Sequence, residues 1–229
     1  MNITLKILAL GAVLLLMANI FAQKNKQIKL SSEEDTVSYC LGLRLANNLK
    51  SQGYDINIDI FMQAFKEIYE RIAPQISLAE ANTIVNEYGR KLQELVNERT
   101  KLEGEKFLEE NKKKKGVITL PSGLQYEVIK EGTGKQPTIN DKVKTHYHGT
   151  LIDGTVFDSS VERGEPISFP LKNVIQGWQE GLQLMKEGAK YRLFVPYNLA
   201  YKERGAGALI KPFSALIFEV ELIAVETQE

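Results

Sequence analysis

From Ser77 to about Lys115 the chain contains no proline, and its apolar residues return at helical intervals. Ser77, followed three residues later by Glu80, has the form of a capping box that opens a helix. At about 1.5 Å per residue such a helix would be roughly 55 Å long. That exceeds the width of a small domain, so the chain cannot close around this segment as one compact body. Ile84, Tyr88, Leu92, Leu95, Arg99 and Leu102 keep an approximately heptad spacing before the stripe fades into EGEKFLEENKKKK. The pattern predicts a packed first half and a solvated second half. Lys112 to Lys115 suit the negative end of a helix dipole; a nucleic-acid or lipid patch is the rival reading of the same four lysines.

Two shorter helices precede the long one. The first opens at Ser31 or Ser32, where Ser31-x-x-Glu34 resembles a capping box, carries Val37, Leu41, Leu45 and Leu49 every four residues, and ends near Gly53. The second follows Asn57, aligns Phe61, Phe65, Ile68 and Ile72, and stops before Pro74. These helices offer too little apolar face for an independent monomer, and pairing with a second copy through helices one and two is the simplest remedy. The expected division is a helical dimerisation segment over 23–76, a linker helix over 77–115 and a second domain over 116–229.

Beyond Gly116 the period changes. LQYEVIK, KVKTHYHGTL, KYRLFVP and ALIFEVELIAV read as strands separated by turn clusters such as EGTGKQP and RGEP. One brief helix, Val174 to Met185, turns Trp178, Leu182 and Met185 to one side. The class is therefore α+β: a helical N-terminal half, then an antiparallel sheet wrapped around a short helix. Strands and helices do not alternate as a doubly wound nucleotide-binding fold requires.

Lys6, the apolar run Ile7 to Ala18 and the small-residue exit before Gln23 form a secretory signal peptide over residues 1–22. The run is too short to span a bilayer unaided, although an uncleaved anchor using Leu5 to Ala22 is the alternative. A periplasmic or otherwise extracytoplasmic location follows. Cys40, the single cysteine, has no intramolecular partner; it reads as a buried thiol or as a bridge between subunits. Lys+Arg and Asp+Glu both number 29, so no charge excess draws the chain to nucleic acid.

Familiar chemistry motifs fail on inspection. Gly132-Thr-Gly-Lys135 lacks the spacing of a phosphate loop and reads as a hairpin turn. His146 and His148 share a strand face, but no third metal-ligand candidate lies near in sequence, so neither a metal nor a cofactor is expected. Asp158-Ser159-Ser160 lacks a GxSxG nucleophile elbow.

What remains is an ordered set of segments: SGLQYEVI, HYHGTLIDGTVFDSS, RGEPISFPL, VIQGWQEGLQLMKEGAKYRLFVP, LAYKERGAG and LIFEVELI. In order and spacing they resemble the FKBP-type peptidyl-prolyl isomerases across residues 117–225. The preceding YCLGLRLANNLKSQG and the lysine-ended helix are similar to the N-terminal domain of the Mip-like and FkpA-like exported bacterial members. The resemblance implies catalysis by Asp158, Tyr201, Tyr147 and Trp178, with Trp178 flat beneath the substrate proline. It implies substrate contacts from Phe157, Phe169, Val174, Ile175, Leu209 and Phe218, including the Ile175 N–H to a substrate carbonyl. Departures from the family pattern are Ile167 for a phenylalanine, Lys202 for a glycine, Lys211 for a proline, and Phe213 for a small polar residue or histidine. Proline-containing unfolded or folding polypeptides are the implied partners, the homodimer the implied assembly, and a macrolide a candidate inhibitor. A dimeric chaperone whose isomerase activity is auxiliary or vestigial is the rival function.

Overall fold

The computed structural model describes residues 28–226; the expected signal peptide lies outside the described residues. Contacts divide the chain into two compact units, one ending at Gln75 and one beginning at Ile76.

The first unit holds helices α1 (Glu33–Ser51) and α2 (Ile58–Tyr69). Ser32 caps α1, and the capping box forms with Asp35 rather than between Ser31 and Glu34. At the far end Gly53 adopts φ +81°, its N–H bonding Lys50 O and the next N–H bonding Leu49 O, a Schellman close. Helix α2 is capped by Asn57, whose side chain accepts the N–H groups of Asp59 and Ile60. It ends in the same Schellman pattern, but with Arg71 at φ +58° where a glycine would be unstrained. No residue of α1 is buried, and Glu67 is the only buried residue of α2. Cys40, read as a buried thiol or as a bridge between subunits, is exposed, which overturns the buried reading.

The second unit begins with α3 (Leu78–Asn111), capped by Ser77 through the Glu80 N–H. Which half of α3 packs is the reverse of the sequence expectation. Ile84, Tyr88 and Leu95 are exposed, whereas Lys101, Gly104, Phe107, Leu108 and Asn111 form a stripe that meets the sheet. The Phe107 ring lies 6.1 Å from that of Phe194, and Lys101 Nζ sits 5.8 Å above the Tyr197 ring. A Cβ on Gly104 would stand 3.1 Å from Ala215 Cβ. Gln125 closes the contact, donating from Nε2 to Leu108 O at 2.8 Å and accepting from Asn111 Nδ2 at 2.9 Å. The stripe escaped the sequence reading because Phe107 and Leu108 are its only large apolar members, set among a glycine, an asparagine and a lysine.

Seven strands follow: β1 (Val117–Thr119), β2 (Gln125–Lys130), β3 (Lys142–Leu151), β4 (Val156–Ser159), β5 (Ile167–Pro170), β6 (Lys190–Val195) and β7 (Leu216–Glu226). They pair antiparallel in the order β1-β2-β6-β7-β3-β4, with β5 also on β3. The 132–135 segment is not a hairpin turn, because β2 and β3 are not neighbours. It docks on the 186–189 turn, where Thr133 and Gly134 donate to Glu187 O.

Two short helices complete the unit, α4 (Ser160–Arg163) and α5 (Gln176–Leu182). The second lies on the sheet because Gly177 and Gly181 let it approach. A Cβ on Gly177 would come within 2.4 Å of Val195 Cγ1, and one on Gly181 within 2.8 Å of Leu193 Cδ1. Trp178, between those glycines, is thereby drawn into the core beside Leu182, Leu193, Val195 and Phe218. Burial of that cluster is the main stabilising term for this unit.

Candidate active site

Trp178 is 5% exposed and lies among three rings. Tyr147 and Phe218 meet it edge-on at centroid distances of 5.3 and 5.2 Å, and Phe169 tilts against it at 5.5 Å. Such edge-to-face pairs suit the ring quadrupole and hold the indole in one orientation. Phe157 continues the wall, 5.4 Å from Phe218 and perpendicular to it. That pair needs Gly149 on β3, where a Cβ would collide with Phe157 Cζ at 2.7 Å. Val174, Ile175 and Ile167 pack against the same cluster. The Trp178 Nε1–H is buried and meets no acceptor among the described residues.

Polar groups sit on one side of this apolar bowl. The Tyr147 hydroxyl donates to Asp158 Oδ2, and Arg163 Nη1 donates to Asp158 Oδ1. Arg163 Nη2 reaches the Tyr147 oxygen at 2.9 Å, closing a three-membered ring of charge-assisted bonds. Burial works to raise the Asp158 carboxyl, but hydrogen bonds from Tyr147 and Arg163, with the guanidinium charge, outweigh it and hold the group below the usual carboxylate range. Burial pushes the Tyr147 phenol up, and its bond to Asp158 adds to the rise. Tyr201, 37% exposed, is raised by burial first and then by the Asp158 charge. Its hydroxyl makes no hydrogen bond among the described residues.

The structure thus brings together Tyr147, Phe157, Phe169, Val174, Ile175, Trp178 and Phe218, with Asp158 bonded to their edge. Leu209, 47% exposed, borders a cleft of about 120 Å³ with Arg99, Thr100 and Glu103 of α3. Arg163 is the residue that the sequence reading missed. It lies in the RGEP turn cluster, and its fifth-residue spacing from Asp158 carries no signal until α4 folds it back. His146 and His148 remain half-buried on the outer face of β3, beside Ser160 and Ser159, and no metal-ligating group of three or more forms among the described residues.

Residues 133–223 match the family model described as FKBP-type peptidyl-prolyl cis-trans isomerase, and residues 34–128 match that of the domain amino-terminal to it. The FKBP-type 22 kDa peptidyl-prolyl cis-trans isomerase of Escherichia coli (strain K12) is 43% identical over 203 residues, covering 89% of this chain and 90% of that protein. The peptidyl-prolyl cis-trans isomerase Mip of Coxiella burnetii is 41% identical, covering 86% of this chain and 89% of that protein. Among solved structures, FkpA from Escherichia coli superposes with a TM-score of 0.71 at 33% identity, over 87% of this chain and 99% of that one. The chain belongs to the FKBP-type peptidyl-prolyl cis-trans isomerases.

Proposed function

We propose that the chain accelerates X-Pro isomerisation in exported, folding polypeptides by seating the proline on Trp178 within the ring of Tyr147, Phe157, Phe169, Val174, Ile175 and Phe218. Amide resonance sets a barrier of ~18–20 kcal/mol, which makes the uncatalysed step take tens to hundreds of seconds. At the twisted transition state that resonance is lost and the carbonyl is less polar. An apolar, water-poor bowl therefore favours it over the planar ground state, which water solvates better. A millionfold acceleration corresponds to ~8 kcal/mol, within reach of desolvation, a clamped ring and two hydrogen bonds together. The Ile175 N–H, at the start of α5, and the Tyr201 hydroxyl would supply those bonds. Asp158 holds Tyr147 upright and adds a fixed negative charge at the rim.

The observation that carries this reading is the Tyr147–Asp158–Arg163 ring beside a tryptophan-floored aromatic cluster. A protease-coupled assay on a proline peptide tests it. Asp158→Ala is expected to lower kcat/KM about tenfold or more, and an unaltered rate would sink the assignment. A family macrolide should compete with the peptide.

The exposed apolar faces of α1 and α2 support dimerisation through residues 23–76, with α3 as the connecting helix and 116–229 as the isomerase domain. A relative 39% identical over 86% of this chain carries the name outer membrane protein MIP in Legionella longbeachae, which supports an exported location; a leader cleaved near Ala22 is the proposed route. No helix among the described residues is long and apolar enough to cross a membrane. Chaperone capacity is the second reading, favoured by those same faces. Full-length protein and residues 76–229 would be compared on a peptide and on a refolding protein: a gap only on the protein substrate assigns client capture to the first unit.

A further inference from the structure

Asp158, Ser159 and Ser160 are three consecutive polar residues, and the isomerase reading gives a task only to the first. Ser159 ends β4 and caps α4, accepting the Glu162 N–H at 3.2 Å; its Oγ also lies 3.0 Å from His148 Nδ1. Ser160 is fully buried, so its hydroxyl needs partners. Their identity follows from the ladder on β3. Along one edge β3 pairs with β5 up to Thr145, opposite Ile167, and with β4 from His148 onward, opposite Ser159. Continuing the second pairing by one residue puts Ser160 opposite Tyr147, but there the chain leaves the strand and turns into α4. The backbone N–H and C=O of Tyr147 would be orphaned at a buried position. The Ser160 hydroxyl takes both: Tyr147 N–H donates to Oγ at 2.7 Å, and Oγ donates to Tyr147 O at 3.2 Å. His146 Nδ1 lies 3.1 Å from the same oxygen.

We propose that Ser160 is a positioning residue of the isomerase site: its hydroxyl stands in for the missing strand opposite Tyr147 and fixes where the Tyr147 phenol meets Asp158 and Arg163. The inference rests on the site reading given above. Ser160 touches no substrate, and it acts through one backbone unit of β3. The strand break that needs it is also what allows α4 to fold Arg163 back onto Asp158. A continuous β4–β5 strand would satisfy Tyr147 by itself but would leave no turn to carry the guanidinium.

A double-mutant cycle on the full chain tests this, with kcat/KM on a proline peptide, circular dichroism and exchange of the Tyr147 amide as readouts. Ser160→Ala should retain the fold, speed exchange at that amide and lower kcat/KM about tenfold, through kcat more than KM. In a Tyr147→Phe background the same change should cost less than about twofold, because the bonds it orients are already gone. Equal losses in the two backgrounds, or full activity in Ser160→Ala beside an impaired Tyr147→Phe, would overturn the proposal alone. Full activity in Tyr147→Phe would overturn the site reading on which it stands. Should Ser160→Ala not fold, Ser160→Cys keeps the volume with a weak hydrogen-bonding thiol and is read by the same criteria.

Discussion

Helix α1 spans 19 residues with leucines at four-residue intervals, yet none of its residues is buried; helix α5 has seven, and Gly177, Trp178, Gly181 and Leu182 are all inside. The contrast is one of partners. α5 meets a seven-stranded sheet at the distance its glycines permit, whereas α1 and α2 turn Val37, Leu41, Phe65 and Ile68 to solvent. A regular apolar stripe is thus a demand for a surface, and only the second unit supplies that surface from its own chain. The first unit's apolar faces are exposed among the described residues, and the dimer proposed above would cover them with a second copy.

The strongest way to break this contrast is from inside the second unit. Trp178→Ala should cost about 3–5 kcal/mol of stability in that unit, since it empties the centre of a four-ring cluster. It should also lower kcat/KM at least a hundredfold, measured by chemical denaturation and the peptide assay. A stable, active variant would mean that the tryptophan is neither core nor floor.

The matching test on the first unit is Leu41→Glu combined with Phe65→Glu, both at exposed positions. Self-association should weaken about a hundredfold or more, ~2.7 kcal/mol, by analytical ultracentrifugation, while peptide kcat/KM stays within about twofold. An intact dimer would locate the interface elsewhere.

Helix α3 shows where the contrast runs inside a single element. Ile84, Tyr88 and Leu95 lie in the exposed half, and Lys101, Gly104, Phe107, Leu108 and Asn111 form the docked stripe. Gly104→Leu should cost about 1–3 kcal/mol and slow the peptide reaction a fewfold, because the new side chain presses on Ala215 in the segment that follows Tyr201 and Leu209. Cutting the chain at 116 would strip the same contacts, so a fair isolated domain begins at 76.

How much of this was legible follows from the same residues. Period and capping patterns located α1, α2, α3 and the four long strands, because each signal lies within one element. Short β1, β4 and β5 escaped, being three or four residues long and made by pairing with neighbours rather than by their own pattern. In the site, the aromatic set was legible through family resemblance. Arg163, Ser160 and the three glycines that make room for Trp178 and Phe157 were not, since their function exists only across elements.

Asp158 gives a pH test of intermediate size. Its carboxyl is held below the ordinary value, so its native-state contribution is present above the unfolded value and is lost as pH falls through the lower, folded one. Peptide activity should therefore stay level from pH 7 to 5 and decline only in the acid range. Asp158→Asn should be impaired at every pH, with that decline removed. An activity loss beginning near neutrality would point to a different group.

The smallest effects are the finest comparison of the two units, because each holds a non-glycine residue at positive φ: Arg71 at +58° and Lys202 at +56°. A left-handed conformation costs an ordinary residue roughly 1–2 kcal/mol, and a glycine gives back about 0.4–1 kcal/mol of that through the freer unfolded chain. Arg71→Gly and Lys202→Gly should each stabilise by about 0.5–1 kcal/mol. Lys202 N–H bonds Tyr197 O and its own carbonyl accepts the Phe213 N–H, so glycine loses no backbone bond there. For the second unit the gain should appear as about 1–3 °C in Tm, with peptide activity unchanged within about twofold. Arg71→Gly should leave that transition alone and shift only the unfolding of the helical unit. If both variants moved a single shared transition, the two units would be melting as one, and the contrast between a self-sufficient domain and a dependent one would fail.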